Sequence, residues 1–225
     1  MRVKFLPSFL SFVASNGVKL TVLRDYSGLP HSVGNDLDVY ISPHDLKIFL
    51  KILENSTRFS YEVSQTRLGL IKGILSDGGE SFKLDIRYEF SYIGLRYLNM
   101  KKFEESLVYN QDFLVYLPDQ RNQMLISILK ELLHNGSARA DKKDYLLSSL
   151  DSCFNCTNKV FLPEDLERFQ AGLRANSLEF GRMRKQVIYR LVILNLKRYG
   201  VVSSFMNCVR FAVSRNRFKY VIIHN

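Results

Sequence analysis

Apolar and polar positions along the chain change their spacing near residue 119. Before that point, short segments rich in β-branched and aromatic residues predict strands. The predicted strands are Val18–Leu23, Leu37–Ile41, Phe59–Val63, Leu68–Leu75 and Phe82–Arg87. Asp77-Gly78-Gly79 separates the last two and indicates a hairpin turn. One helix is predicted among these strands, from Pro43 to Leu53, because its apolar residues recur at helical spacing.

After about Asp119 the apolar spacing becomes that of amphipathic helices. Asn135-Gly136 is a typical helix end and closes the first of them. The predicted helices cover residues 124–134, 142–150, 163–173, 178–199 and 202–214, and a further helix covers 5–14. This pattern predicts an α+β domain over residues 1–118, followed by a helical domain over 119–225 that ends in a basic tail.

The composition excludes several classes of protein. With 46% apolar residues, 12 Gly and 5 Pro in 225 residues, the chain is neither collagen-like nor disordered. No uncharged apolar run reaches the roughly 18 residues of a membrane-spanning helix. The start imitates a signal peptide, but Pro7 and Ser8 interrupt its apolar stretch, which favours a first helix packed on the body.

Three cysteines are too few for a secreted disulfide scaffold and indicate a reducing, cytoplasmic compartment. Cys153 and Cys156 form a single C-x-x-C pair without a second pair or a nearby His, which disfavours a zinc site. The four histidines have no metal-ligand spacing, and His31 is the one nearest the candidate site.

The positive charge of the chain is concentrated at its end. Residues 181–225 contain ten basic and no acidic residues, whereas the preceding 180 residues carry 22 of each sign. Apolar residues alternate with arginines there, as in a helix that lies on an anionic membrane surface. The alternatives are a basic face that borders a nucleotide cleft, a stub that leads to a further domain, and nucleic-acid binding, for which no recognition motif is present.

Three carboxylates could carry chemistry. Asp36 and Asp38 are two residues apart on a predicted strand, so both project from one face. Asp85 lies between Leu84 and Ile86 on another strand, where burial is costly unless the acid is paired or binds a metal. Such a set suits Mg²⁺ and two-metal phosphoryl transfer. The alternative is a surface D-x-D turn with Asp85 paired to Arg87.

These residues resemble the nucleotidyltransferase fold superfamily, in which an h-D-h-D-h strand is followed by a third acid on a later strand. The chain is most similar to a bacterial branch that opens with L-R-x-Y-x-x-L-P. The matching residues are Leu23-Arg24-Asp25-Tyr26, Leu29-Pro30, Asp36-Leu37-Asp38 and Leu84-Asp85-Ile86. The resemblance covers about residues 18–150 and implies a nucleotidyltransferase-like mixed sheet with flanking helices.

The resemblance also implies roles. Asp36, Asp38 and Asp85 would be catalytic and would hold a two-ion Mg²⁺ site. The Gly-Ser pair usual at the end of the first strand is replaced here by Arg24-Asp25-Tyr26-Ser27-Gly28. Arg24 could contact phosphates through its bidentate fork, with Ser27 and Gly28 as backbone donors. In the helical half, Lys130, Lys142 and Lys143 are candidates for triphosphate binding, and the alternative is that they lie on solvated helix faces. Arg67 and Lys83 lie on strands near the acids.

The function expected from this resemblance is Mg²⁺-dependent transfer of a nucleoside monophosphate from an NTP such as ATP to a small-molecule or sugar-type acceptor. Similar bacterial proteins are linked to surface-polysaccharide biosynthesis, and some are fused to a P-loop kinase-like domain. The expected location is cytoplasmic, with the basic tail on the inner face of the membrane as an additional contact. The competing interpretation is a non-catalytic nucleotidyltransferase-like module that docks on a membrane or a protein partner.

Overall fold

The computed structural model describes residues 3–24, 28–34, 36–151, 157–215 and 221–223, the last three and Arg215 by their backbone only. These residues form two compact units. The first unit comprises the described residues within 1–90, 100–118 and 209–225, and the second comprises those within 91–99 and 119–208. The mixed helix-and-strand composition expected from the sequence is confirmed.

An eight-stranded mixed sheet is the main element of the first unit. The strands are β1 (Thr21–Val22), β2 (Asp36–Tyr40), β3 (Ser60–Arg67), β4 (Leu70–Asp77), β5 (Glu80–Arg87), β8 (Val108–Asn110), β9 (Val115–Leu117) and β10 (Val221–Ile223). They lie in the spatial order β10-β3-β4-β5-β2-β1-β9-β8. Neighbouring strands are antiparallel except for two parallel pairs, β2 with β5 and β1 with β9.

Two helices supply the core on one face of this sheet. α1 (Leu6–Ser15) and α2 (Pro43–Glu54) contribute Phe9 and Phe49, whose rings meet edge to face, and both are fully buried. The Ser42 side chain caps α2 by accepting a hydrogen bond from the backbone of Asp45. Alternate residues of β2 and β5 belong to the same apolar cluster: Leu37, Val39, Leu84 and Ile86. The residues between them therefore project from the other face.

A smaller aromatic cluster covers one end of that other face. Tyr40 stacks on Phe90 and meets the ring of Phe103 edge to face. Phe103 lies on α3 (Met100–Glu105), and the Tyr40 hydroxyl donates a hydrogen bond to Glu104 of the same helix. Burial is the main reason that the pKa of Tyr40 is raised above its ordinary value, so the phenol stays protonated.

The hairpin predicted at Asp77-Gly78-Gly79 is confirmed. β4 and β5 pair from Asp77 opposite Glu80 to Leu70 opposite Arg87. Gly78 and Gly79 both have positive φ, 57° and 92°, the geometry that a two-residue hairpin turn needs. This turn determines which residues of the two strands face each other.

The second unit is mainly helical and also contains the β6–β7 hairpin (Ser91–Tyr92 and Leu95–Arg96). Asn195 holds this hairpin, since its side chain accepts from the Arg96 amide and donates to the Arg96 carbonyl, both at 3.0 Å. The helices begin with α4 (Gln120–Leu129), extended by a π-helical turn at Lys130–Asn135, and continue with α5 (Lys143–Asp151), α6 (Pro163–Arg174) and α7 (Gly181–Arg215). Gly136 has a left-handed backbone after the π-helical turn, as predicted for a helix end.

The last helix is two helical segments rather than one. Gly200 has a non-helical backbone (φ 76°, ψ 169°) and interrupts α7. The break agrees with the two helices predicted over 178–199 and 202–214. Missing from the sequence prediction were all elements between residues 91 and 118, where the strands are only two or three residues long. The predicted strand Val18–Leu23 is likewise shorter, since only Thr21 and Val22 pair with β2.

Candidate functional site: an acidic cluster on two parallel strands

The parallel pairing of β2 and β5 brings the three predicted acids together. Asp38 lies opposite Asp85 in this register, and Asp36 is two residues before Asp38 on the same face. One carboxylate oxygen of each acid lies within 4.8 Å of the others. Asp38 and Asp85 are 5% and 6% exposed, and Asp36 is half-buried at the open end of the strand. The cluster is thus mostly withdrawn from water.

Arg24 neutralises the first buried acid. β1 and β2 are antiparallel, and beyond β1 the Leu23 amide still donates to the Asp38 carbonyl at 3.0 Å. This continuation carries Arg24 alongside β2, where its guanidinium forms a hydrogen-bonded ion pair with the Asp38 carboxylate. Arg24 therefore reaches the acidic cluster, at the place where the resemblance expects a phosphate-binding group.

Lys72 neutralises the second buried acid. It faces Asp85 in the β4–β5 register, and its ammonium donates a hydrogen bond to the Asp85 carboxylate. Burial nevertheless raises the pKa of Asp85 above its ordinary value. The Lys72 ammonium opposes this shift, whereas the charges of Asp38 and Asp36 add to it.

Lys72 was missed in the sequence analysis, although the sequence contains the signal. In a hairpin whose turn is Gly78-Gly79, counting back from Asp77 and Glu80 leads to Lys72 opposite Asp85. The alternative partner considered for Asp85 was Arg87, and that expectation was wrong. Arg87 faces Tyr40 of β2 and Leu70 of β4 in the two registers, and Asp85 pairs with Lys72.

The donor chemistry of the cluster fits a hard divalent cation. Three carboxylates offer oxygen ligands only, which is the set that Mg²⁺ prefers. With Arg24 and Lys72 counted, these five side chains carry one net negative charge when all three acids are ionised. A divalent cation at this place would therefore bind by competing with two ion pairs for the carboxylates.

The other predicted site residues are placed as follows. Gly28 lies in the first unit, in a turn where its carbonyl accepts from the His31 and Ser32 amides at 3.1 and 2.8 Å. Lys83 faces Asp36 in the β2–β5 register and is exposed. Arg67 is the last residue of β3. Ser27, Cys153 and Cys156 lie outside the described residues.

The lysines predicted to bind the triphosphate belong to the second unit. Lys130 opens the π-helical turn after α4, and Lys142 closes a short 3₁₀ turn before α5. The Lys142 ammonium lies 6.0 Å from the centre of the Tyr145 ring. Lys143 donates a hydrogen bond to the Asn176 side chain at 3.0 Å. Their roles toward a nucleotide stay predictions.

Comparison with known proteins adds no relative from which the site could be assigned. No family model, no curated protein and no solved structure matches the chain.

Proposed function

We propose that the chain is a Mg²⁺-dependent nucleotidyltransferase that moves a nucleoside monophosphate from an NTP to a hydroxyl or phosphate acceptor. The observation that carries this proposal is the convergence of Asp36, Asp38 and Asp85 on adjacent parallel strands. The resemblance to the nucleotidyltransferase superfamily, carried by the same three acids, supports the proposal. The acceptor proposed is a small molecule or a sugar, as in surface-polysaccharide biosynthesis.

The three acids would hold the metal, each through a carboxylate oxygen. When bound, Mg²⁺ would neutralise phosphate charge and favour attack on the α-phosphorus. Asp85 would also help to deprotonate the acceptor hydroxyl, as the resemblance implies for the third acid. Arg24 and Lys72 place two cations at the acids, where they can contact phosphate oxygens.

The experiment is a thermal-shift titration with ATP, CTP, GTP and UTP, each with and without Mg²⁺. A ligand at roughly 100 times its dissociation constant adds about 2.7 kcal/mol of stability, which is readily measured. The variant is Asp36→Asn, because Asp36 is half-buried and its substitution leaves both buried ion pairs in place. The matched control is Asp112→Asn, an exposed acid between β8 and β9.

A Mg²⁺-dependent shift that is lost in Asp36→Asn and kept in Asp112→Asn supports the site and identifies the nucleotide. Incubation with an α-phosphate-labelled form of that nucleotide then tests for transfer of the nucleoside monophosphate, and a γ-phosphate-labelled form tests for pyrophosphate release. If no nucleotide shifts the wild type in the presence of Mg²⁺, the proposed activity is refuted.

A second candidate function is favoured by the ion pairs themselves. Arg24 and Lys72 already neutralise both buried acids, so the unit is electrostatically satisfied without a metal. A non-catalytic nucleotidyltransferase-like module would have this arrangement. It predicts that nucleotide binding, if observed, is independent of Mg²⁺ and produces no pyrophosphate.

A further inference from the structure

The helical segment after Gly200 exposes large apolar side chains and buries a serine on its opposite side. Large apolar side chains of the second unit with at least 36% exposure follow one stripe of this segment: Val201, Val202, Phe205 and Met206. Their spacing repeats every three to four residues, so they share one face of about 140°. On the opposite side Ser204 is 4% exposed, and its hydroxyl has no hydrogen-bond partner among the described residues.

This orientation is the reverse of that expected for a surface helix of a protein in water. Phe205 is 64% exposed and Val202 is 76% exposed, although burying either side chain would be favourable. A contiguous apolar patch with charged neighbours marks a surface that another molecule covers. The stripe is therefore an interaction surface.

The charges around the stripe select its partner. Lys197 and Arg198 precede the stripe in the same unit, and both are exposed. No acidic residue is present between residues 181 and 225. A second copy of the chain would bring two cationic surfaces together, which is unfavourable. Nucleic acid would leave the valines and the methionine without apolar contacts, because its affinity comes mainly from the phosphates.

A cavity lined in part by the basic residues just before the stripe is also positively charged. It lies within the second unit, has a volume of about 510 Å³, and is lined by Lys159, Arg190, Ile193, Leu194, Lys197 and Arg198. Arg190 is paired with Asp165, but no hydrogen bond or ion pair with a described residue engages the Lys159 or Lys197 ammonium. The cavity has the cations and the apolar wall that suit a lipid phosphate with its adjoining glycerol.

We propose that the 201–206 stripe docks on an anionic membrane surface, with the stripe at the boundary of the acyl chains and the flanking basic side chains at the lipid phosphates. The contact is interfacial: among the described residues, none of the helices combines the length and apolarity needed to cross a bilayer. The proposal is independent of the nucleotidyltransferase activity, because it uses none of the acidic-cluster residues.

The test uses the absence of tryptophan from the chain. Phe205→Trp introduces a single tryptophan on the stripe, and Val108→Trp places one at a similarly exposed site on β8, since Val108 is 62% exposed. Both variants of the full chain are titrated with phosphatidylcholine vesicles, with and without phosphatidylglycerol. We expect the tryptophan emission of the Phe205→Trp variant to shift to the blue with the anionic vesicles only. The Val108→Trp variant should show no shift.

Two further substitutions separate the apolar and the charged contributions. Phe205→Ser should weaken vesicle co-sedimentation about tenfold or more, because the largest apolar contact is lost. Lys197→Gln with Arg198→Gln should weaken it about fivefold per charge. Arg182→Gln with Lys185→Gln removes the same charge from the start of α7 and should have a smaller effect. Equal urea midpoints in all variants show that the fold is intact.

Three results would overturn the proposal. One is the absence of a blue shift in the Phe205→Trp variant with anionic vesicles. Another is an equal shift with purely zwitterionic vesicles, which would remove the role of the charges. The third is a shift that develops without vesicles as the protein concentration rises, because the stripe would then be covered by a second copy of the chain.

Discussion

Lys72 and Asp85 face each other across the antiparallel β4–β5 pair, and the lysine ammonium donates a hydrogen bond to the carboxylate. Asp85 is 6% exposed, so this contact neutralises a charge that is nearly removed from water. The same carboxylate is one of the three that converge as a candidate metal site. Lys72 therefore stabilises the metal-free protein and competes with any cation that binds there.

Replacing Lys72 by Met should reveal this competition. Without the ammonium, Asp85 loses its neutralising contact, and we expect a loss of about 1 kcal/mol in the free energy of unfolding, since the Lys72 side chain is partly exposed. Mg²⁺ should restore more stability to Lys72→Met than to the wild type, as measured by urea denaturation with and without the ion.

Lys101→Met provides the control for that measurement. Lys101 pairs with Glu105 at 3.9 Å on the exposed face of α3, and we expect a change below about 0.5 kcal/mol. Equal Mg²⁺ responses in Lys72→Met and Lys101→Met would contradict a role for Lys72 at the cation site.

The ion pair between Arg24 and Asp38 should contribute more to stability, because both side chains are more deeply buried. The Arg24 side chain is 18% exposed and that of Asp38 is 5% exposed. Arg24→Met leaves an uncompensated carboxylate and should cost about 3 kcal/mol in the free energy of unfolding. The double variant Arg24→Met with Asp38→Leu should recover part of this loss, and urea denaturation of the four proteins measures the coupling. If the stability losses of the two single variants add up to the loss of the double variant, the two side chains do not interact.

In the second unit, Arg190 and Asp165 form a two-point contact at 2.5 and 2.9 Å. Asp165 is 2% exposed, and it also accepts from the Leu162 amide at the start of α6. Arg190→Leu should destabilise the protein by about 3–5 kcal/mol. Arg174→Leu is the control, because its partner contact with Asp151 is exposed and should be worth less than about 1 kcal/mol. Similar unfolding midpoints for the two variants would show that burial does not strengthen the Arg190 contact.

Gly94 should not tolerate a side chain. Its φ is +85°, and a Cβ there would lie 2.3 Å from the Asn207 carbonyl oxygen, so the β6–β7 turn and α7 would have to separate. Gly17 has a similar φ of +73° but open space around it. Gly17→Ala should cost about 1 kcal/mol from backbone strain alone, and Gly94→Ala should cost clearly more. Thermal unfolding of both variants checks the difference, and equal melting temperatures would contradict the close approach.

Local sequence patterns were sufficient to predict the elements whose signals lie within their own residues. Helix α2 was predicted from Pro43 and its apolar spacing, and its structural bounds, Pro43–Glu54, differ by one residue. The break near residue 200 was also predicted, since Gly200 separates two helical patterns. The β6–β9 strands were missed, because segments of two or three residues are too short for a periodic pattern and are held by their partners.

The residues of the acidic cluster were predicted from the sequence, and Lys72, the partner of Asp85 across the hairpin, could have been predicted as well. Asp36, Asp38 and Asp85 lie on predicted strands, and the Gly78-Gly79 turn determines that Lys72 faces Asp85. The proximity of Asp38 to Asp85 could not be predicted from the sequence. Between these residues the chain forms α2, β3 and β4, and no turn determines the register of the parallel β2–β5 pair. Packing of α1 and α2 on the apolar side chains of both strands decides it, because a shift of one residue would bury the acids in the core.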